Sequence, residues 1–146
     1  MPAVQRPMQT FHWLEKFDFD GHALVVQVAQ LVRGEPDGAI GHPLEVTPDS
    51  ARYRVHFPVV GAFKTVPELF SEVSETANKV DVFLFHEPDS AYAAEMQHAM
   101  ALASDIPSGG VQHYVVHAEN VVTHVLAASA PQVSRVPMDP DPRAGA

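Results

Sequence analysis

The sequence predicts an α+β domain: a mainly antiparallel sheet of about five or six strands with one or two helices packed on one face. Three observations carry this reading. Asp20-Gly21 stands between two alternating apolar segments, "ARYRVHF" alternates with period two, and "SAYAAEMQHAMALAS" is an Ala-rich run bounded by polar caps and a proline.

The first element is a hairpin, "TFHWLEKFDFDGHALVVQVAQLV". Gly tolerates the positive φ of a tight turn, so Asp20-Gly21 reads as a two-residue connection with Phe19 opposite His22. Phe11, Trp13, Phe17 and Phe19 then share a face with Leu24, Val26 and Val28, while His12, Lys16, Asp18 and Gln27 take the other. Glu15 breaks the pattern. Either a β-bulge lets it reach water, or it is a buried carboxylate with a raised pKa, available as acid, base or ligand.

Residues 33–50 hold Gly34, Gly38, Gly41, Pro36, Pro43 and Pro48, and read as a long loop carrying His42, with a short strand at 44–46. Next comes one long bent strand. Tyr53, Val55, Phe57 and Val59 alternate with Arg52, Arg54 and His56, Pro58 implies an edge or a bulge, and Gly61 marks a bend. Thr65, Pro67 and Glu68 form a helix-start pattern, so a short helix over 66–78 is expected, against the weak helix formers Ser71, Ser74 and Thr76.

"KVDVFLFHE" is a compact apolar run and reads as a central strand. Asp89 or Ser90 then caps a helix that Pro107 ends, burying Tyr92, Met96, Ala99 and Ala103. Its Glu95-x-x-His98 spacing matches that of di-metal bundles, but such sites need two copies and the chain has one.

"VQHYVVHAENVVTHVLA" is the second hairpin. A two- or four-residue loop at Glu119-Asn120 sets Val115 opposite His124, and puts Tyr114, Val116, Ala118, Val121, Thr123, Val125 and Ala127 on the core face. His113, Val115, His117, Val122, His124 and Leu126 share the other face. His113 and His117 are about 13 Å apart along a strand, too far to share an ion. His124 lies diagonally from each, so a two-His metal half-site pairs His124 with His113 or with His117 and needs a carboxylate, with Glu15, Glu87 and Glu119 as candidates.

Residues 1–8 read as a flexible N-terminal segment, 9–130 as a single domain, and 131–146 as a Pro-rich disordered tail. Across the 146 residues a net charge of −9 argues against nucleic acid or an anionic membrane as partner. There is no cysteine, which excludes disulfides and thiolate chemistry. No signal-peptide pattern or membrane-length apolar run appears, so a cytoplasmic protein is the expectation, and the residue usage suggests a GC-rich bacterial genome.

Two functional readings follow. One is a non-enzymatic binding or interaction module for a protein or small-molecule ligand, without a cofactor, self-associating as a homodimer through exposed Val115, Val122 and Leu126. The other is a small metal- or His-dependent enzyme in which His113, His117 or His124 acts with Glu15 or Glu87, a divalent metal being its cofactor if one is used.

Overall fold

A computed structural model describes residues 10–34, 43–71, 74–100 and 110–137. The expected α+β class is overturned. The described residues form eleven strands in three antiparallel sheets and one α-helix, so the protein is mostly β.

The first hairpin joins β1 (His12–Phe19) and β2 (Leu24–Gln30). Its turn is displaced from the expected place, with Phe19 opposite Leu24 rather than His22. Asp20 closes it: its N–H donates to the Ala23 carbonyl at 3.2 Å, and its carboxylate accepts the His22 and Ala23 N–H groups at 2.8 and 2.7 Å. Gly21, at φ +94°, supplies the conformation an L residue avoids. The displacement is two residues, so Phe17 and Phe19 keep the face of Leu24 and Val26.

Glu15 is where β1 departs from the alternation. The register slips between Leu14 and Lys16, a bulge that inverts the faces N-terminal to it. His12 and Leu14 therefore turn inward, and His12 is buried between the rings of Phe83 and Tyr53, at 5.0 and 6.2 Å. Trp13, expected inside, is exposed. A short ribbon follows, β3 (Val32–Arg33) with β4 (Leu44–Glu45); His42 lies outside the described residues.

The long bent strand is two strands. β5 (Arg52–Phe57) belongs to the first sheet and β6 (Val60–Pro67) to the second, the chain changing sheets at Pro58-Val59 where proline could not have continued the ladder. The helix expected over 66–78 does not form. Val66 and Pro67 still pair with Val122 and Val121, and a single 3-10 turn follows at Glu68–Phe70. Leu69 and Phe70 are 84% and 77% exposed, so these two residues supply no buried apolar stripe to hold a helix.

"KVDVFLFHE" is likewise not one central strand but an edge hairpin, β7 (Asn78–Asp81) and β8 (Leu84–Glu87). The Asp81 carboxylate accepts the Val82 N–H at 2.6 Å and helps turn the chain. Helix α1 (Ala91–Met100) is capped by Ser90, whose hydroxyl oxygen accepts the Ala93 N–H at 2.8 Å. Its expected end at Pro107 lies outside the described residues.

β9 (Gln112–His117) and β10 (Val121–Ala127) form the second hairpin with His124 opposite Val115, the register that apolar parity favours. Beyond it, β11 (Gln132–Arg135) pairs with β5, so part of the segment read as a disordered tail is a sheet strand. Residues 1–9 and 138–146 lie outside the described set.

The four-stranded sheet runs β1-β2-β5-β11 and the five-stranded sheet β6-β10-β9-β8-β7. Their inner faces meet in one core: Leu24, Val26, Val28, Val55 and Phe57 from the first, Leu84, Tyr114, Val116, Val125 and Ala127 from the second, with Phe83 between. The second sheet's outer face carries the histidine pair and lies against α1.

Candidate functional site

Strand pairing assembles this face row by row. β6 places Lys64 opposite His124, β10 places His124 opposite Val115, and β8 places Glu87 opposite His113. Lys64, His124, His113 and Glu87 thus stand on four neighbouring strands, Lys64 at one end and Glu87 at the other. Val115, Val122 and Leu126, expected as an exposed interface, are 1%, 0% and 0% exposed. They are covered within the chain itself and are not available to a second copy.

His113 and His124 are diagonal neighbours, and their rings meet. His113 Nε2 lies 2.9 Å from His124 Nδ1. The pair continues at both ends: His124 Nε2 lies 3.2 Å from the Ser71 hydroxyl, and His113 Nδ1 lies 2.7 Å from the Ser90 hydroxyl. Tyr92 of α1 packs edge-on to both imidazoles, at 5.5 and 6.4 Å between centroids, and the Lys64 ammonium sits 4.3 Å from the centre of its ring.

Burial pushes the His113 pKa down to about 4, with Lys64 and His86 adding to the effect. Burial likewise pushes His124 down to about 4, helped by His113 and Lys64 and opposed by Glu87. Both rings are therefore neutral at pH 7, each with one N–H and one lone pair. The chain then has two self-consistent directions. In one, Ser90 donates to His113, His113 to His124, and His124 to Ser71. In the other every donor is reversed, Ser71 donating to His124 Nε2 and His113 Nδ1–H donating to Ser90. Moving between them shifts one proton along each contact, with Ser71 releasing a proton to solvent and Ser90 taking one up so that both hydroxyls stay neutral.

The remaining candidates are placed as follows. His117 stands four residues along β9 from His113, pairs its backbone with Val122 and is not part of the chain. Glu87 is buried and accepts the Ser74 N–H at 3.2 Å. Glu15 lies on the outer face of the other sheet and cannot serve this site. Its carboxylate takes Gln27 Nε2 at 3.0 Å and Arg52 Nε at 2.7 Å. Burial would raise its pKa, yet the Gln27 and Arg52 hydrogen bonds and the Arg52 charge together hold it below the ordinary value; of the two alternatives for Glu15 the bulge is the one that forms, not the raised carboxylate. Glu95 is exposed on α1, and nothing is described of the His98 side chain. Among the described residues no group of three or more His, Asp or Glu is gathered that could hold a metal ion, so the His pair supplies two nitrogen donors at most.

Ser71, Ser90, Tyr92 and Lys64 were not legible as site residues. Ser90 announces itself only as a helix cap and Tyr92 only as part of a buried stripe. Ser71 and Lys64 reach the site through β6, which pairs with a strand more than fifty residues distant along the chain.

No family model, curated protein or solved structure matches this chain. Among the described residues no helix is long and apolar enough to cross a membrane.

Proposed function

We propose that the protein is a small His-dependent enzyme that performs acid–base chemistry on the outer face of its second sheet. His124 is the proton-transferring group and His113 its hydrogen-bonded partner, with Lys64 and Glu87 as flanking charges. The observation that supports this reading is the 2.9 Å contact between two largely buried, neutral imidazoles. A neutral ring keeps a lone pair free at pH 7, and the hydrogen bond from its other nitrogen to the second imidazole fixes which nitrogen presents that lone pair.

A generic proton-abstraction substrate tests the reading without knowledge of the natural one. Turnover of 5-nitrobenzisoxazole should saturate, fall by about 10²-fold or more in His124→Gln, and be unaffected by Glu15→Gln. A rate equal to solution background in the wild-type protein, or full activity in His124→Gln, removes the proposal.

The reading as a binding module is favoured by a different feature. An open groove of about 490 Å³ is lined by Trp13, Leu14, Leu31, Leu44 and Val46 with Glu15 and Glu45 at its polar side. Trp13 and Leu44 are both exposed there, a surface suited to a small apolar ligand. Equilibrium dialysis against an uncharged naphthyl probe, with Trp13→Ala as control, tests it.

A further inference from the structure

Resting on the acid–base reading above, we infer that Ser71 is a nucleophile, activated by His124 and positioned through His113 and Ser90, so that the reaction class is acyl transfer from an ester or amide. The argument is geometric. A hydroxyl nucleophile needs a base within hydrogen-bond reach, and the base needs a third group that orients it. Ser71 and His124 Nε2 are 3.2 Å apart, and the opposite nitrogen of the same ring meets His113 at 2.9 Å. His113 is in turn fixed at its far nitrogen by Ser90 at 2.7 Å. Ser90 is itself held as the cap of α1. The chain is anchored at the helix and ends at the Ser71 hydroxyl, just after the 3-10 turn.

Ser71 is also presented suitably. It follows the 3-10 turn Glu68–Phe70 in extended backbone, φ −129° and ψ 129°, its N–H donating to the Glu68 carbonyl at 3.1 Å. It is only partly buried, whereas His113 behind it is 7% exposed. An acyl compound arriving from solvent therefore meets the hydroxyl first and the second histidine last.

The steps balance as follows. The Ser71 oxygen adds to the acyl carbon while its proton passes to His124 Nε2. The His124 Nδ1–H donates to His113 Nε2, and the His113 Nδ1–H to the Ser90 oxygen. Collapse of the tetrahedral adduct breaks the bond to the alcohol or amine, which leaves with the proton from His124. Water then adds to the acyl-Ser71 ester with His124 again as base, releasing the acid and restoring the hydroxyl. No oxidant, reductant or further co-reactant is needed. His113 and Ser90 touch no reacting atom; they are positioning residues.

A fluorophosphonate probe tests this on the intact chain. The Ser71 oxygen–phosphorus bond forms, the phosphorus–fluorine bond breaks, and fluoride leaves with the hydroxyl proton. Peptide mass spectrometry should place the label on Ser71. Labelling should disappear in Ser71→Ala and slow about 10²-fold or more in His124→Gln, while Ser90→Ala slows it by a smaller factor. Circular dichroism confirms that each variant folds. The rate should stay level from neutral pH downward and fall only near pH 4 in the wild type. The groups acting on the base are Lys64 from β6, Glu87 from β8 and His113 from β9, with Tyr92 of α1 edge-on to its ring, while His86 of β8 acts on His113; none of them is Ser71's own neighbour in sequence. A Ser71→Ala variant that still turns over 5-nitrobenzisoxazole in a His124-dependent way, in a protein the probe never labels, overturns the nucleophile and leaves the acid–base reading intact. Loss of both activities in the wild-type protein overturns both.

Discussion

Asn120 takes the place of a strand partner for Leu14 on the edge of β1 away from β2. Its side-chain carbonyl accepts the Leu14 N–H and its amide donates to the Leu14 carbonyl, both at 2.9 Å, so a single side chain satisfies both backbone groups of one residue. The neighbouring Glu119 N–H donates to the His12 carbonyl at 2.8 Å. The turn that closes β9 and β10 is thereby fastened to β1 beside the Glu15 bulge, tying the two sheets together at the end of the core. Asn120→Ala leaves two partly buried backbone groups without their partners. It should cost about 1–3 kcal/mol in urea unfolding, with an unchanged slope.

Acid should destabilise the protein well before its carboxylates titrate. In the unfolded chain His113 and His124 bind protons near 6.5, whereas in the folded protein both hold out to about 4. Between those values the unfolded state takes up protons that the folded state refuses, so stability falls as pH falls through the window and levels off below about 4. His12, whose pKa burial also lowers against the pull of Asp81, acts with the same sign. Urea midpoints measured from about pH 7 to pH 4 should decline, and His124→Leu should make the decline shallower.

Val122→Glu distinguishes a covered face from an interface. Val122 is 0% exposed, between His117 of β9 and Val66 of β6. A carboxylate there must be desolvated, so the variant should lose about 3 kcal/mol or more, or fail to fold. Sedimentation of a folded, equally stable Val122→Glu protein that had merely dissociated would show that Val122 packs against another copy.

The Glu15–Arg52 pair is partly exposed, at 21% and 24%, and its effect on stability is accordingly small. Glu15→Gln should cost about 1 kcal/mol or less, with little dependence on the histidine site, read as a small change in thermal midpoint.

Leu84→Ala should be far more costly. Leu84 is fully buried where β8 meets the core, and truncation leaves a cavity that two packed sheets cannot close, giving a loss of about 2–5 kcal/mol in denaturant unfolding.

Local patterns determined what the sequence by itself could determine. Apolar parity placed His124 opposite Val115, and so put His113 and His124 on one face, because a one-residue slip in that hairpin would take Val116 or Val125 out of the core between the sheets. The same rule located Leu24, Val26 and Val28 inside. Tertiary structure decided the rest, because strand period carries no information about partners distant in the chain. Which sheet β5 and β6 join, why β11 is a strand at all, and how Lys64 comes to face His124 depend on pairings that no local pattern encodes. Inversion of His12 and Trp13 hangs on a single bulge at Glu15, whose anomaly was visible but whose geometry is set by Arg52, Gln27 and Asn120 from three other segments. The histidine face was legible; the hydroxyl at each of its ends was not, since Ser71 and Ser90 arrive there by the fold alone.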